Sequence, residues 1–177
     1  MLKDALSVAV RLVKDVFGID LTPPPLLTKT PPPASGPADG WIADFWAAQA
    51  GETGAKIVYR MVLDDVETSA PTEPDIRRAI GLLAEAQRDF LVLERADIAG
   101  FDEEDSVDDA DADDFLQVAA DGSGAFDLEF GVDLGGKEPT LFASAAPLTA
   151  AVLADALLDY RGGGGRWITL CGWRRKI

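Results

Sequence analysis

The sequence predicts an α+β protein in which a mostly antiparallel sheet, a meander, carries its helices on one side. Residues 125–134 alternate apolar and polar side chains, which is the period of a strand with one buried and one solvent-exposed face. The turn DGSG (121–124) before them supplies the glycines that a hairpin needs, so the neighbouring strands should be antiparallel. Segments with apolar residues at three- and four-residue spacings flank the run of strands and predict helices.

Three parts follow one another along the chain. Residues 1–21 are predicted to contain an amphipathic helix, because the apolar residues of 2–17 fall on one helical face and Gly18 follows as a stop. Residues 22–40 are predicted to be a Pro-rich linker, since its seven prolines fix φ and remove backbone donors. Residues 41–177 are predicted to form the α+β domain. Whether the first helix packs on that domain or against another chain stays open.

The first half of the domain shows helix and strand patterns in alternation. Thr72 can cap a helix whose first turn holds Asp75, so a helix is predicted from there. The nearly continuous apolar run FLVLE (90–94) predicts a strand that is covered on both faces. A further helix is predicted at 40–49. Four further strands are predicted at 56–63, 114–120, 125–134 and 140–145.

The C-terminal part is predicted to be a helix followed by a strand. Pro147 can open the helix, because its missing N–H is harmless at a first helical position, and the apolar residues from Leu148 to Tyr160 supply the buried face. The glycines at 162–165 end it. Residues 166–173 predict a final strand with Trp167, Thr169, Cys171 and Trp173 on one face.

The net charge of −15 is unevenly distributed. Residues 101–160 carry one basic and 16 acidic side chains, whereas the last 17 residues carry five basic and no acidic ones. A negative field repels nucleic acid and anionic membranes and speeds encounter with a basic partner. We therefore expect no nucleic acid and no membrane as partners, and a basic protein as the natural one. Solubility alone is the competing explanation of the charge.

Composition also bounds the compartment and the chemistry. No apolar stretch approaches the roughly 20 residues of a membrane span, residues 1–18 carry charges throughout, and the one cysteine allows no intrachain disulfide, all of which suits the cytoplasm.

The absence of histidine excludes Ser–His–Asp, Cys–His and His–metal sites. Cys171 is predicted to be a buried, inert thiol. The run RGGGGR (161–166) is predicted to be a flexible helix exit, because a phosphate loop leads from a strand into a helix. We expect no enzymatic activity, no cofactor and no metal.

The most unusual segment is FDEEDSVDDADADD (101–114), with nine carboxylates in fourteen residues. Asp109, Asp111 and Asp113 have the first spacings of a calcium-binding EF-hand loop, but Asp114 stands where glycine is needed and Ala120 where the bidentate glutamate is needed. Two interpretations stay open: a solvated loop, or a surface that mimics phosphates for a basic groove. The candidate partner-binding residues are Asp102, Glu103, Glu104, Asp105, Asp108, Asp109, Asp111, Asp113, Asp114, Asp127, Glu129 and Asp133.

Residues 90–173 resemble the small immunity proteins of bacterial polymorphic toxin systems. The resemblance lies in FLQVAADGSGAFDLEFGVDL, a strand, and LTAAVLADALLDYRGGGGRWITLCGW, which share a strand meander, a late helix and terminal tryptophans with them. It implies an inhibitor that plugs a toxin's active site with an acidic surface. The alternative is a structural or assembly protein, such as a phage or secretion-system component, that docks through its N-terminal helix. Homo-oligomerisation is open in both cases.

Overall fold

The structure is a computed structural model that describes residues 36–50, 57–97, 114–134 and 138–176. The predicted N-terminal helix, the linker as far as residue 35 and the acidic run as far as Asp113 lie outside these described residues. The domain begins earlier than the predicted boundary at residue 41. Ala38 is completely buried and donates its N–H to the carbonyl of Trp173 at 2.8 Å, and Pro37 bridges Arg174, so these residues belong to the edge of the sheet.

The described part of the chain contains a seven-stranded sheet in which every neighbouring pair is antiparallel, together with four helices. The predicted α+β class, with a meander sheet and helices on one side, is confirmed. The strand order is β2-β1-β3-β4-β5-β6-β7. The strands are β1 (Ile57–Leu63), β2 (Val66–Ser69), β3 (Phe90–Asp97), β4 (Asp114–Ala120), β5 (Phe126–Val132), β6 (Thr140–Ser144) and β7 (Trp173–Arg175). The helices are α1 (Asp39–Ala50), α2 (Glu73–Ala84), α3 (Ala150–Arg161) and α4 (Arg166–Cys171).

The alternation along the strands decides which face of the sheet the helices cover. Phe126, Leu128, Phe130 and Val132 are completely buried, as the period of two predicts, while Leu134 lies beyond the end of β5 and is 38% exposed. We call this the covered face, and the opposite side the open face. The prediction that 90–94 is covered on both faces is wrong: Leu91 and Leu93 are buried, but the alternating Phe90 is 37% exposed.

Side chains that satisfy the first backbone N–H groups fix where the helices begin. Asp75 accepts a hydrogen bond from the Thr72 N–H at 2.8 Å, which confirms the predicted start of α2. The start predicted at Pro147 is wrong, because Leu148 is held by two backbone hydrogen bonds to Phe126 in an extended bridge. Thr149 is therefore the cap of α3, and its hydroxyl accepts from the Val152 N–H.

Residues 166–173 are not the strand that was predicted. They form the short helix α4, which buries Trp167, Ile168 and Cys171 and leaves Thr169 exposed. Gly172, with φ of 59°, then turns the chain into the three residues of β7. Trp173 and its two successors form the strand that pairs with β6, so Trp167 and Trp173 belong to different elements and meet through packing.

One strand was missed. β2 is a four-residue edge strand of sequence VETS, which pairs with β1 through a turn at Asp64 and Asp65. An edge strand has one unpaired side and is largely solvent-exposed, so its sequence shows little apolar alternation. Asp64 has φ of 51°, a conformation that Asp tolerates in tight turns.

The helices are fixed to the covered face by contiguous aromatic packing. The Trp167 ring of α4 lies 5.1 Å from Phe130 and 5.5 Å from Trp173, measured between centroids. It also contacts Trp46 of α1 at 5.3 Å and Tyr160 of α3 at 5.5 Å. Three helices and two strands therefore meet at the Trp167 ring, which ties the helices to the covered face.

Candidate functional site: the acidic end of the sheet

The register of β3 and β4 determines where the acidic run leaves the sheet. Arg95 of β3 lies opposite Asp114 of β4, so residues 98–113 leave and return at the same end of the sheet. Eight of the predicted partner-binding carboxylates belong to this connection: Asp102, Glu103, Glu104, Asp105, Asp108, Asp109, Asp111 and Asp113. Their own placement lies outside the described residues, but both ends of the segment that carries them are fixed.

Two carboxylates that the structure shows as exposed lie at the same end. Asp133 directly follows Val132, which is paired with Asp114 on one side and with Thr140 on the other. Glu138 precedes Thr140, and both acidic residues are exposed. We call this region the acidic end, defined by connection 98–113 together with Asp133 and Glu138.

The other predicted residues of β5 lie elsewhere. Asp127 is exposed near the opposite end of the strand, and six residues at about 3.3 Å each place it roughly 20 Å from Asp133. Glu129 lies between them on the open face and forms an ion pair with Lys176. The structure therefore places Asp133 beside the strand ends from which the acidic connection leaves and to which it returns, whereas Asp127 and Glu129 lie farther from those ends. Lys176, one of the basic residues at the C-terminal end, therefore pairs with β5.

Asp114 is not available to a partner, and the prediction that it belongs to an exposed binding surface is wrong. Its position on β4 is on the same face as Leu116 and Val118, so the side chain points into the covered layer and is 0% exposed. Arg95, 5% exposed, donates to its carboxylate from Nε at 3.0 Å and from Nη2 at 2.7 Å. The last carboxylate of the acidic run is therefore half of a buried ion pair.

Aromatic residues complete the environment of this pair. The Tyr160 hydroxyl donates to Asp114 Oδ1 at 2.5 Å, and the Tyr59 hydroxyl donates to the carbonyl of Tyr160 at 3.1 Å. The Arg95 guanidinium lies 4.6 Å from the centre of the Trp46 ring, within the range of a cation–π contact. Burial would lower the pKa of Arg95, but the Asp114 carboxylate outweighs it and the pKa is raised. Burial, and secondly Asp114, raises the pKa of Tyr160 well above its ordinary value, so both residues keep their ordinary protonation at neutral pH.

The other candidate for chemistry, the glycine-rich run, also differs from its prediction. It connects α3 to α4, so the chain runs from helix to helix and not from helix to strand. Asp159 accepts a hydrogen bond from the Trp167 N–H at 2.9 Å, and a Cβ at Gly164 would lie 2.3 Å from that carboxylate. The Trp167 amide in the first turn of α4 therefore donates to the protein's own carboxylate, at the kind of helix start where a phosphate can otherwise bind.

The cysteine is the remaining side chain that the sequence analysis considered for chemistry. Cys171 is buried as predicted, and burial raises the pKa of its thiol to about 12. Among the described residues there is no group of three or more cysteine and carboxylate side chains that could hold a metal ion, and no helix that is long and apolar enough to cross a membrane.

Comparison with known proteins adds no relative: no protein-family model, curated protein or solved structure matches the chain. Fold and site define an α+β protein with one covered sheet face and an acidic end. The residues that the sequence analysis did not single out are Arg95 and Tyr160. Arg95 was detectable, because it continues the two-residue period of Leu91 and Leu93 and therefore had to be a buried cation in need of a partner.

Proposed function

We propose that this protein is a non-catalytic binding protein whose acidic end binds a basic protein, in the manner of an immunity protein that blocks a toxin. One observation supports the proposal above all: the register of β3, β4 and β5 gathers connection 98–113, Asp133 and Glu138 at one end of the sheet. The buried Arg95–Asp114 pair holds the base of that connection, and the resemblance to immunity proteins points to the same role.

The physical basis of such binding is a concentrated negative field on a rigid support. The connection carries eight carboxylates between two strand ends that are fixed at the same end of the sheet, and Asp133 and Glu138 add two more beside those strand ends. Opposite charge on a partner accelerates encounter, and the attraction weakens as salt screens it over about 8–10 Å. A groove that evolved to hold phosphates would be complementary to such a cluster.

The test compares two variants of equal net charge. The first neutralises the acidic end with Asp102→Asn, Glu103→Gln, Glu104→Gln and Asp105→Asn. The second neutralises four carboxylates at the opposite end of the domain with Asp65→Asn, Glu85→Gln, Asp89→Asn and Asp127→Asn. Both have a net charge of −11, which is −15 plus four. A difference between them therefore reports position and not total charge.

The partner is first isolated on immobilised protein at low salt, eluted with high salt and identified. Calorimetry then gives the dissociation constant for the wild type and both variants. We expect the first variant to bind about tenfold more weakly, from four pairs of about 0.3–0.5 kcal/mol each, and the second to bind within threefold of the wild type. Equal losses in both variants, or affinity that does not depend on salt, would refute a role for the acidic end.

A further inference from the structure

We propose that the open face of the sheet is the surface through which two copies of this chain pack face to face. The side chains of this face alternate with those of the core, and every described helix lies on the other side. Its centre is apolar, with half-buried Val62, Val92, Phe115 and Leu141 on four of the strands. Antiparallel sheets often leave one face to solvent, but apolar side chains at the centre of such a face are buried when a second sheet packs on it.

Charged groups within the face are paired inside one copy. Arg60 Nε lies 2.6 Å from Glu94 Oε2 and 3.5 Å from Glu67 Oε1, and Lys176 pairs with Glu129. Phe115 lies across Gly131, where a Cβ would come within 2.1 Å of the ring, so an aromatic side chain occupies the middle of the sheet. Covering this face therefore buries apolar side chains and ion pairs that are already formed.

The outer strands carry opposite charges in the same row of the sheet. Pairing across the strands sets a row that runs through Glu67, Val62, Val92, Gln117, Glu129, Ala143 and Arg174. A two-fold axis parallel to the central strand β4 exchanges the two edges. Glu67 of each copy then faces Arg174 of the other, while Gln117 and Phe115 on β4 face their own counterparts. Val62 faces Ala143, and Val92 faces Glu129, whose charge Lys176 of its own copy already neutralises, so the row can pack on its own copy in an isologous interface.

The size of the face suits a dimer and not a small ligand. Seven strands at about 4.8 Å spacing span about 29 Å, and the strands are about 20 Å long, so one copy offers about 600 Å². Two copies together bury about 1,200 Å², which reaches the lower end of specific protein interfaces. The same axis keeps the strand direction, so both acidic ends emerge on one side of the dimer.

A charge swap tests the pairing. Sedimentation equilibrium of the full chain is measured from about 1 to 100 μM at about 0.15 M salt, where the repulsion between two chains of net charge −15 is screened. We expect a dimer whose dissociation constant rises about tenfold with Glu67→Lys or with Arg174→Glu. The combination of both changes should return it to within threefold of the wild type, because it restores opposite charges with the positions exchanged.

The control is Asp155→Lys on the outer surface of α3, which changes the net charge as Glu67→Lys does and should leave the dissociation constant unchanged. Circular dichroism confirms that each variant is folded. A wild type that stays monomeric over the whole range overturns the proposal, and so does a charge swap that fails to restore the dimer. The outcome is independent of the acidic end, since neither variant alters it.

Discussion

Removing the positive half of the buried Arg95–Asp114 pair should destabilise the protein strongly. In Arg95→Met the Asp114 carboxylate stays fully buried and keeps the hydrogen bond from the Tyr160 hydroxyl. Two charge-assisted hydrogen bonds, at 3.0 and 2.7 Å, are lost together with the opposite charge. Breaking a buried pair from one side costs about 3–5 kcal/mol, a large fraction of the 5–15 kcal/mol that stabilises a typical domain.

Replacing both partners should cost much less. In the double variant Arg95→Met and Asp114→Leu no charge remains buried, and the Tyr160 hydroxyl keeps the backbone carbonyl of residue 114 at 3.1 Å as an acceptor. We expect its free energy of unfolding to lie within about 1 kcal/mol of the wild type. Urea denaturation followed by tryptophan fluorescence measures all three proteins, with Asp127→Asn as an exposed-carboxylate control expected within about 0.5 kcal/mol. A loss below 1 kcal/mol in Arg95→Met would refute the buried-pair reasoning.

Three further predictions concern single side chains. Because its pKa is raised to about 12 by burial, Cys171 should not react with Ellman's reagent at pH 8 until the protein is unfolded in urea, and rapid colour formation in the native protein would contradict this. Asp159→Ala removes the acceptor of the Trp167 N–H at the start of α4 and should lower the free energy of unfolding by about 1 kcal/mol. Urea titration measures this loss, and the control Asp155→Ala should leave the free energy of unfolding unchanged. Hydrogen bonds from the N–H groups of Phe90 and Asp89 lower the pKa of Asp64 below 3.8. The contribution of the Asp64 carboxylate to stability is therefore complete above pH 3.8 and is lost as the pH falls through its lowered pKa. The urea midpoint of Asp64→Asn should then fall less between pH 5 and pH 2 than the urea midpoint of the wild type.

Elements with a strong period were predictable, and elements defined by context were not. β5 and α2 carry their face and their cap within a few neighbouring residues, and both predictions are confirmed. The segment 166–171 has the composition of a strand, but Asp159, seven residues before its first position, caps it as a helix. β2 is held mainly by its pairing with β1. Such effects depend on contacts that a local pattern does not contain.

The site was predicted by composition, and composition treats all nine carboxylates of 101–114 alike. The alternation of β4 separates one of them: Asp114 stands two residues before Leu116 and four before Val118, so it shares their buried side. The same count places Arg95 on the buried side of β3. Both positions follow from the period of two, but only the register of β3 with β4 shows that they meet, and a register depends on two strands at once.

The Arg95–Asp114 pair also restricts the register of β3 with β4, and this effect is separate from its contribution to the free energy of unfolding. If β4 slipped by one residue against β3, Asp114 would move to the open face and Phe115 would stand opposite a buried, unpaired Arg95. That penalty disfavours the slipped pairing, and so fixes where connection 98–113 emerges. Arg95→Met with Asp114→Leu lacks this penalty, so we expect it to keep its stability while the amides of β3 and β4 exchange hydrogen faster than those of β5. Unchanged protection of β3 and β4 in that variant would show that the apolar residues alone, such as Leu93 opposite Leu116, set the register.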